Sequence, residues 1–230
     1  MKEQSFTPEE LLGSLNDVET KNAPNCLFVA GDAELLRSGR RVSVVGSRKV
    51  SEAGIRRTRK LVKKLVDQNI IVVSGLAAGV DAVAHTATIE AGGRTVAVLG
   101  TPLDKFYPAS NKVLQTRLMR EHAVVSQFPL GYPATPKNFP MRNRTMALLT
   151  DATVIVEAGE KSGTRHQGWE ALRLGRDVFI MSNVAEDESL SWPQEMIAYG
   201  AQILTSESLP SALENLPAYT DRVEVEAFAF

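Results

Sequence analysis

The stretch VSVVGSRKVSEAG at residues 42–54 decides the fold. Its first four residues form an apolar, mostly β-branched run that is typical of a buried strand, and Gly46 ends this run. Ser51 is of a residue type that caps helices, and apolar side chains then recur at helical spacing over residues 55–66. A strand, a glycine turn and a helix in this order begin a βαβ unit, which indicates a buried parallel sheet.

The same alternation continues outward along the chain. Apolar runs predict seven strands, at residues 42–45, 70–74, 95–99, 123–126, 153–157, 178–181 and 202–204. Helical periodicity predicts a short helix that starts after Thr7, followed by helices at residues 51–69, 78–91, 110–120, 141–149, 166–174, 192–199 and 209–216. This order predicts an α/β fold with a doubly wound, mostly parallel sheet and helices on both faces.

The chain of 230 residues is long enough for one main domain. We expect residues 1–25 to form a short helical N-terminal extension, residues 26–216 the α/β domain, and residues 217–230 a C-terminal tail. The tail contains VEVEAFAF, whose alternation leaves three alternatives open: a free tail, an edge strand or a self-association segment.

The composition indicates a cytoplasmic protein. Hydrophobic residues make up 43% and charged residues 23% of the chain, and no apolar run approaches the roughly 20 residues that cross a bilayer. The first residues lack the apolar core of a secretory signal, and Cys26 is the single cysteine, so no internal disulfide can form.

Charge is unevenly distributed, although the net charge is only −1. Residues 40–64 contain ten basic residues and one acidic residue, whereas residues 186–226 contain nine acidic residues and one basic residue. The basic run is either the solvated face of a helix or part of a surface for a polyanion.

Glycine-containing turns follow the first two predicted strands, where the ligand site of a doubly wound sheet lies. The first turn consists of Gly46, Ser47, Arg48 and Lys49, and the second begins at Gly75. Glycine lets backbone N–H groups approach an anion, and arginine matches phosphate, so these turns predict a phosphate-binding edge. Neither turn matches the GxGxxG or GxxxxGK[ST] nucleotide motifs.

A third candidate region is KNFPMRNR at residues 137–144. Pro140 fits the first turn of a helix, and cations near a helix N-terminus do not favour helix stability. Cations beside an aromatic ring suit single-stranded nucleic acid, which offers phosphates and stackable bases. The predicted DNA-contacting residues here are Lys137, Phe139, Arg142, Asn143 and Arg144.

No catalytic or metal-binding constellation is evident. The histidines His85, His122 and His166 are far apart in sequence, and no GxSxG motif occurs. Asp81 and His85 share one helix face, but a structural role for both is the better interpretation. We expect a non-enzymatic protein without metal or cofactor.

Together these motifs resemble the DNA-processing protein A (DprA/Smf) family. The resemblance spans roughly residues 26–213 and rests on VSVVGSRKVSEAG (42–54), VVSGLAAGVDAVAH (72–85), VAVLGTPLDKFYPASN (96–111), SQFPLGYPATPKNFPMRNR (126–144) and VIVEAGEKSGT (154–164). It implies an extended Rossmann-like fold, a homodimer, and binding of single-stranded DNA as a recombination mediator that loads the RecA recombinase, as in DNA uptake. It also implies that the DNA faces Gly46, Ser47, Arg48, Lys137, Phe139, Arg142, Asn143 and Arg144.

Three features depart from the family's usual pattern. Ala78 stands where the family usually has arginine, and residues 165–170 replace a stretch that is commonly apolar and threonine-containing. We also expect no room in these 230 residues for the N-terminal helical module and the C-terminal winged helix that often accompany the domain.

Two other functions remain open. Gly163, Thr164 and Glu170 loosely resemble a GGxGTxxE phosphoribohydrolase motif, although the spacing to the glutamate is too long, so a nucleotide-binding or nucleotide-cleaving protein is the main alternative. The other is an adaptor whose acidic C-terminal part binds a basic partner.

Overall fold

One sheet organises the computed structural model, which describes residues 3–216; the prediction for the tail at residues 217–230 lies outside the described residues. Nine strands form the sheet over this range: β1 (Gln4–Phe6), β2 (Leu27–Gly31), β3 (Arg41–Gly46), β4 (Ile71–Ser74), β5 (Thr95–Leu99), β6 (Ala123–Ser126), β7 (Ala152–Glu157), β8 (Asp177–Met181) and β9 (Gln202–Leu204). All seven predicted strands are present, with ends within one residue of the prediction.

The strand order is β1-β2-β6-β5-β4-β3-β7-β8-β9. Strands β3 to β9 pair in parallel with one another, whereas β1 with β2 and β2 with β6 are antiparallel. The predicted α/β fold with a mostly parallel sheet is therefore confirmed. The antiparallel strands β1 and β2 were not predicted, because β1 is only three residues long and β2 pairs with segments that are distant in the sequence.

Ten helices occur within residues 3–216: α1 (Pro8–Leu12), α2 (Asp17–Asn22), α3 (Glu52–Asp67), α4 (Val80–Glu90), α5 (Lys112–Glu121), α6 (Asn138–Leu148), α7 (Thr164–Arg173), α8 (Ser182–Ala185), α9 (Trp192–Ala198) and α10 (Leu209–Glu214). Thr7 and Ser51 cap α1 and α3 as expected. The short helices α2 and α8 were missed. Helix α6 begins three residues before the predicted start, and Pro140 lies in its first turn as expected.

Helices cover both faces of the sheet, as predicted. On one face, α3, α4 and α10 pack over Val42 and Val44; on the other, α6, α7 and α9 pack over Val45. Side chains of successive strand residues point to opposite faces, so a nearly continuous apolar strand supplies both layers of the core. No helix in this part of the chain has the length and apolar character needed to cross a bilayer.

The N-terminal segment packs onto the same core. Leu11 and Leu12 of α1 are buried in the cluster that contains α6 and α7 residues. The carboxylate of Glu19 on α2 forms a buried ion pair with Arg176, which precedes β8. These contacts join residues 3–25 to the α/β domain; the domain division at residue 26 stays a prediction.

Gly79, just before α4, brings the turn after β4 against the turn after β3. Its φ is +79°, and a Cβ atom there would lie 2.1 Å from the backbone oxygen of Ser47. The amide of Val80 donates to that same oxygen at 3.1 Å. Any side chain at residue 79 would therefore separate two turns that lie at the carboxyl edge of the sheet.

We expect Gly79→Ala to lower the free energy of unfolding by about 3 kcal/mol. The alanine would have to adopt a positive φ, and its Cβ would also clash with backbone atoms of the turn after β3. Gly92→Ala is the matched control, since Gly92 has a φ of +72° but a Cβ atom there would meet nothing within 4 Å. It should cost only about 1 kcal/mol. Urea unfolding measures both; equal losses would contradict the crowding argument.

His85 on α4 is a structural histidine, as the sequence suggested. It is fully buried, and its Nδ1 lies 2.7 Å from the hydroxyl of Thr95. Burial lowers the pKa of His85 from 6.5 to about 3. The folded protein therefore keeps this ring neutral at pH values where an unfolded chain would protonate it.

The depressed pKa of His85 should make the free energy of unfolding depend on pH. Above pH 6.5 neither state is protonated, and as pH falls towards 3 only the unfolded state gains the proton, so stability decreases. The substitution His85→Asn removes this pH dependence of the stability. We expect the stability gap between the wild type and His85→Asn to narrow by about 2 kcal/mol between about pH 7.5 and pH 5 in chemical unfolding experiments. If the free energies of unfolding of the two proteins changed in parallel with pH, the depressed pKa of His85 would be contradicted.

Candidate nucleic-acid interface

A cleft of about 560 Å³ opens at the carboxyl edge of the sheet. The chain builds β4, β5 and β6 on one side of β3 and then returns to place β7 on the other side, so the strand order reverses between β3 and β7. Ligand sites of doubly wound sheets lie outside the strand ends at such a reversal. The cleft is formed there by the turns after β3, β4 and β7 and by the first turns of α6 and α7.

The structure brings most, but not all, of the predicted site residues into this cleft. Seven of the DNA-contacting candidates line it: Gly46, Ser47, Arg48, Lys49, Phe139, Arg142 and Asn143. Gly163 and Thr164, which were candidates for a nucleotide site, line the same cleft. Gly75, Lys137, Arg144 and Glu170 do not.

The turn after β3 presents cations. The amide of Ser47 donates to the backbone oxygen of Glu157 at 2.6 Å, and the amide of Lys49 donates to the Ser47 hydroxyl at 3.1 Å. Both amides are thus engaged within the protein. The side chains of Arg48 and Lys49 are exposed, so this turn can hold a phosphate through its cations.

The turn after β4 is organised by Asp81 on α4. The Oδ2 atom of Asp81 accepts from the amides of Gly75 and Ala77 at 3.1 and 3.3 Å. A protein carboxylate therefore occupies amides that the sequence had suggested for a phosphate. Burial raises the pKa of Asp81, while the nearby Arg142 opposes that change.

Arg142 is buried, with only 6% of its surface exposed. Its Nη1 donates to the backbone oxygen of Val98 at 2.9 Å and to that of Gly75, and its Nε donates to Asn143 Oδ1 at 3.0 Å. A Cβ atom on Gly75 would lie 1.7 Å from Nη1. Gly75 thus makes room for this guanidinium, which fastens α6 to the ends of β4 and β5.

Phe139 forms the aromatic wall of the cleft. The guanidinium carbon of Arg48 lies 5.7 Å from its ring centroid, and the ring of Tyr107 lies 5.2 Å away. Behind the ring, a Cβ on Gly100 would come within 2.7 Å of Phe139 Cδ1. A smaller cleft of about 120 Å³ lies on the Tyr107 side and includes Ala78.

Arg144 and Glu170 pair with each other across α6 and α7. The Arg144 guanidinium contacts the two carboxylate oxygens of Glu170 at 3.0 and 3.2 Å. This pair neutralises one predicted DNA-contacting cation and engages the one acidic residue proposed for nucleotide cleavage. Lys137 is exposed at the start of α6, outside the cleft.

Sequence reasoning named Gly163 and Thr164 of the segment after β7 but missed three of its other residues that line the cleft. Lys161, His166 and Gln167 all line the cleft. The signal was available for Lys161, because GEKSGT follows a predicted strand and has the same glycine-rich character as the turn after β3. Within residues 3–216, no group of three or more metal-ligating side chains occurs.

Residues 6–214 match the family model of DNA recombination-mediator protein A. The chain belongs to this family. Among curated members, it is 38% identical over 188 residues to DNA processing protein DprA of Streptococcus pneumoniae, covering 82% of this chain and 66% of that protein. It spans 42–66% of the length of the first curated relatives that it matches.

Two solved structures of the family have the same fold. The X-ray structure of DprA from Streptococcus pneumoniae aligns with a TM-score of 0.79 at 34% identity, covering 94% of this chain and 75% of that one. DprA from Helicobacter pylori aligns with a TM-score of 0.77 at 24% identity, covering 93% and 98%. The resemblance inferred from the sequence motifs is confirmed.

The contacts of Arg142 predict that this residue stabilises the fold. We expect Arg142→Ala to lower the free energy of unfolding by about 3 kcal/mol, since it leaves two buried carbonyl oxygens without their donor and removes the positive charge near the buried Asp81. Arg48→Ala, which truncates an exposed cation of the same cleft, should change it by less than about 0.5 kcal/mol. Urea unfolding of both variants is the measurement, and equal stabilities would show that Arg142 is not a structural residue.

Proposed function

We propose that the protein binds single-stranded DNA in the cleft between β3 and β7 and acts there as a recombination mediator without catalysing a reaction. One observation carries the proposal: exposed cations, Arg48, Lys49 and Lys161, line the same cleft as the Phe139 ring. Cations along a groove and an aromatic surface for bases are the two elements of single-strand binding.

The position of Phe139 favours a single strand over a duplex. Its ring lies in the wall of a concave cleft, with Gly100 behind it and Arg48 beside it. A base can reach a ring in that position only if it has left its own stack, and a single strand frees its bases at little cost, whereas a duplex must be unpaired.

The named relatives support the same class of ligand. The proteins of Streptococcus pneumoniae and Bacillus subtilis are both called DNA processing protein DprA. The Helicobacter pylori structure concerns that protein's single-stranded DNA binding mode. For this chain we add to the proposal a cytoplasmic location, a homodimer, and loading of a RecA-type recombinase onto the bound strand.

The nucleotide alternative is weaker in one specific respect. Gly163 and Thr164 lie in the cleft, so a nucleotide could enter it, but Glu170 is engaged with Arg144 and does not line the cleft. A cleavage reaction would lack the carboxylate that the motif supplies. We therefore propose a binding function for this cleft.

Arg48→Ala should weaken binding of a labelled oligonucleotide about tenfold and reduce the slope of log affinity against log salt by about 0.7, because one phosphate contact and its counterion release are lost. Fluorescence anisotropy across a salt series measures both quantities. Arg56→Ala is the control: Arg56 is an exposed arginine on α3 that does not line the cleft.

Wild-type affinity in Arg48→Ala, or an equal loss in Arg56→Ala, would contradict the proposed site. Tight binding of mononucleotides with no affinity for the oligonucleotide would instead favour the nucleotide alternative.

A further inference from the structure

We infer that a second groove, between α3 and α10, binds phosphates of the same single strand and so extends the DNA path beyond the cleft. This inference rests on the proposed function, because it follows the strand that the cleft would hold. It concerns a separate set of side chains, so the two sites can be tested apart.

The groove has a volume of about 520 Å³ and is lined by cations on its α3 side. Arg57, Lys60 and Lys64 supply these cations, whereas no acidic side chain lines the groove within residues 3–216. The whole chain has 27 acidic and 26 basic residues, so three cations without one acid are a local accumulation of positive charge. Such an accumulation in a concave surface attracts an anion.

The two lysines are free to contact a ligand. Both Lys60 and Lys64 are exposed, and neither forms an ion pair among the residues that the structure describes. The Nζ of Lys60 lies 3.5 Å from the hydroxyl of Ser206, and a phosphate oxygen would be a stronger partner than this neutral one. Glu207 feels the charge of Lys60 but lies beyond ion-pair distance and outside the groove.

The groove is closed at its base by leucines. Leu61, Leu204 and Leu213 line it from buried positions, and no aromatic side chain lines it within the described part of the chain. The cations can therefore hold phosphates, but no ring offers a surface on which bases could stack. Binding there should depend on salt and be independent of base sequence.

The groove opens beside the cleft at the same edge of the sheet. The cleft lies beyond the carboxyl ends of β3, β4 and β7, and the groove includes Ser182 and Thr205, which directly follow β8 and β9. Strands β7, β8 and β9 are neighbours in the sheet. The two sites therefore follow one another along this edge.

Glu157, at the end of β7, contacts both sites. Its backbone oxygen accepts from the amide of Ser47 in the cleft, and its Oε2 lies 4.0 Å from the guanidinium of Arg57 in the groove. Its Oε1 accepts from the amide of Ser51 at 2.8 Å. The acid that lies between the two sites is thus engaged by the protein and partly neutralised by Arg57.

Helix α3 provides the path from one site to the other. It is capped by Ser51, close in sequence to Lys49 of the cleft, and it rises about 20 Å from Ser51 to Lys64. A strand with a rise of about 3.4 Å per nucleotide covers that distance in about six nucleotides. This continuity favours the same nucleic acid over an acidic peptide as the occupant of the groove.

The test is a double variant, Lys60→Gln combined with Lys64→Gln, with labelled oligo-dT of about 5 and about 20 nucleotides. Fluorescence anisotropy across a salt series gives the affinities. For the longer oligonucleotide we expect an affinity loss of about tenfold and a slope of log affinity against log salt that is smaller by about 1.4, because two phosphate contacts are lost. The shorter one can fill only the cleft and should bind within about twofold of its wild-type affinity.

Two further variants serve as controls. Arg56→Gln combined with Lys63→Gln removes the same charge from the same helix at exposed positions outside both sites, and it should leave binding of both oligonucleotides near the wild-type level. Arg48→Ala, in the cleft, should weaken binding of both lengths.

An unchanged affinity of the Lys60 and Lys64 variant for the longer oligonucleotide would overturn this inference and leave the proposed function standing. An equal loss in the control pair, or an equal loss for both lengths, would do the same. If only a glutamate-rich peptide lost affinity in the Lys60 and Lys64 variant, the groove would be a peptide site instead. A wild-type protein that binds neither oligonucleotide would overturn the proposed function itself.

Discussion

The guanidinium of Arg142 lies where the carboxyl ends of β4 and β5 meet α6, and the candidate site depends on its hydrogen bonds. The pairing of β4 with β5 ends at Ser74 and Ala97, so the carbonyl oxygens of Gly75 and Val98 just beyond it need other donors. Arg142 supplies them from the first turns of α6. Its position fixes where α6 begins and hence where Phe139 stands. The apparent conflict of a cation near a helix N-terminus is resolved, because this cation faces strand carbonyls and the Asp81 carboxyl.

The parallel part of the sheet and the general location of the site could be predicted from the sequence. Valine-rich runs followed by glycine turns report on local geometry, and local geometry is what periodicity and turn chemistry encode. The capped start of α3 at Ser51 is an example, since the side chain bonds to a backbone amide three residues away. Strand β1 escaped because three residues are too few to show an alternation, and β2 because it pairs with segments that lie far away in the sequence.

The roles of individual side chains in the cleft were harder to predict. Arg142 and Arg144 are two residues apart and look equivalent in the sequence, yet one is buried against strand ends and the other pairs with Glu170, 26 residues further along. Gln167 gave no motif at all. Its place beside the cleft becomes evident only when β7 and α7 are packed together. Such roles depend on tertiary partners that a single sequence does not identify.

The two edge strands, β1 and β9, are only three residues long. Each leaves few backbone groups to template another strand, and this limits both amyloid-like stacking and the capture of extended peptides along the sheet edge. Among the described residues, the sheet thus offers little backbone for a further strand at either edge. Contacts that the described residues make with another chain should therefore depend on side chains of the helices and loops more than on backbone hydrogen bonds at the sheet edges.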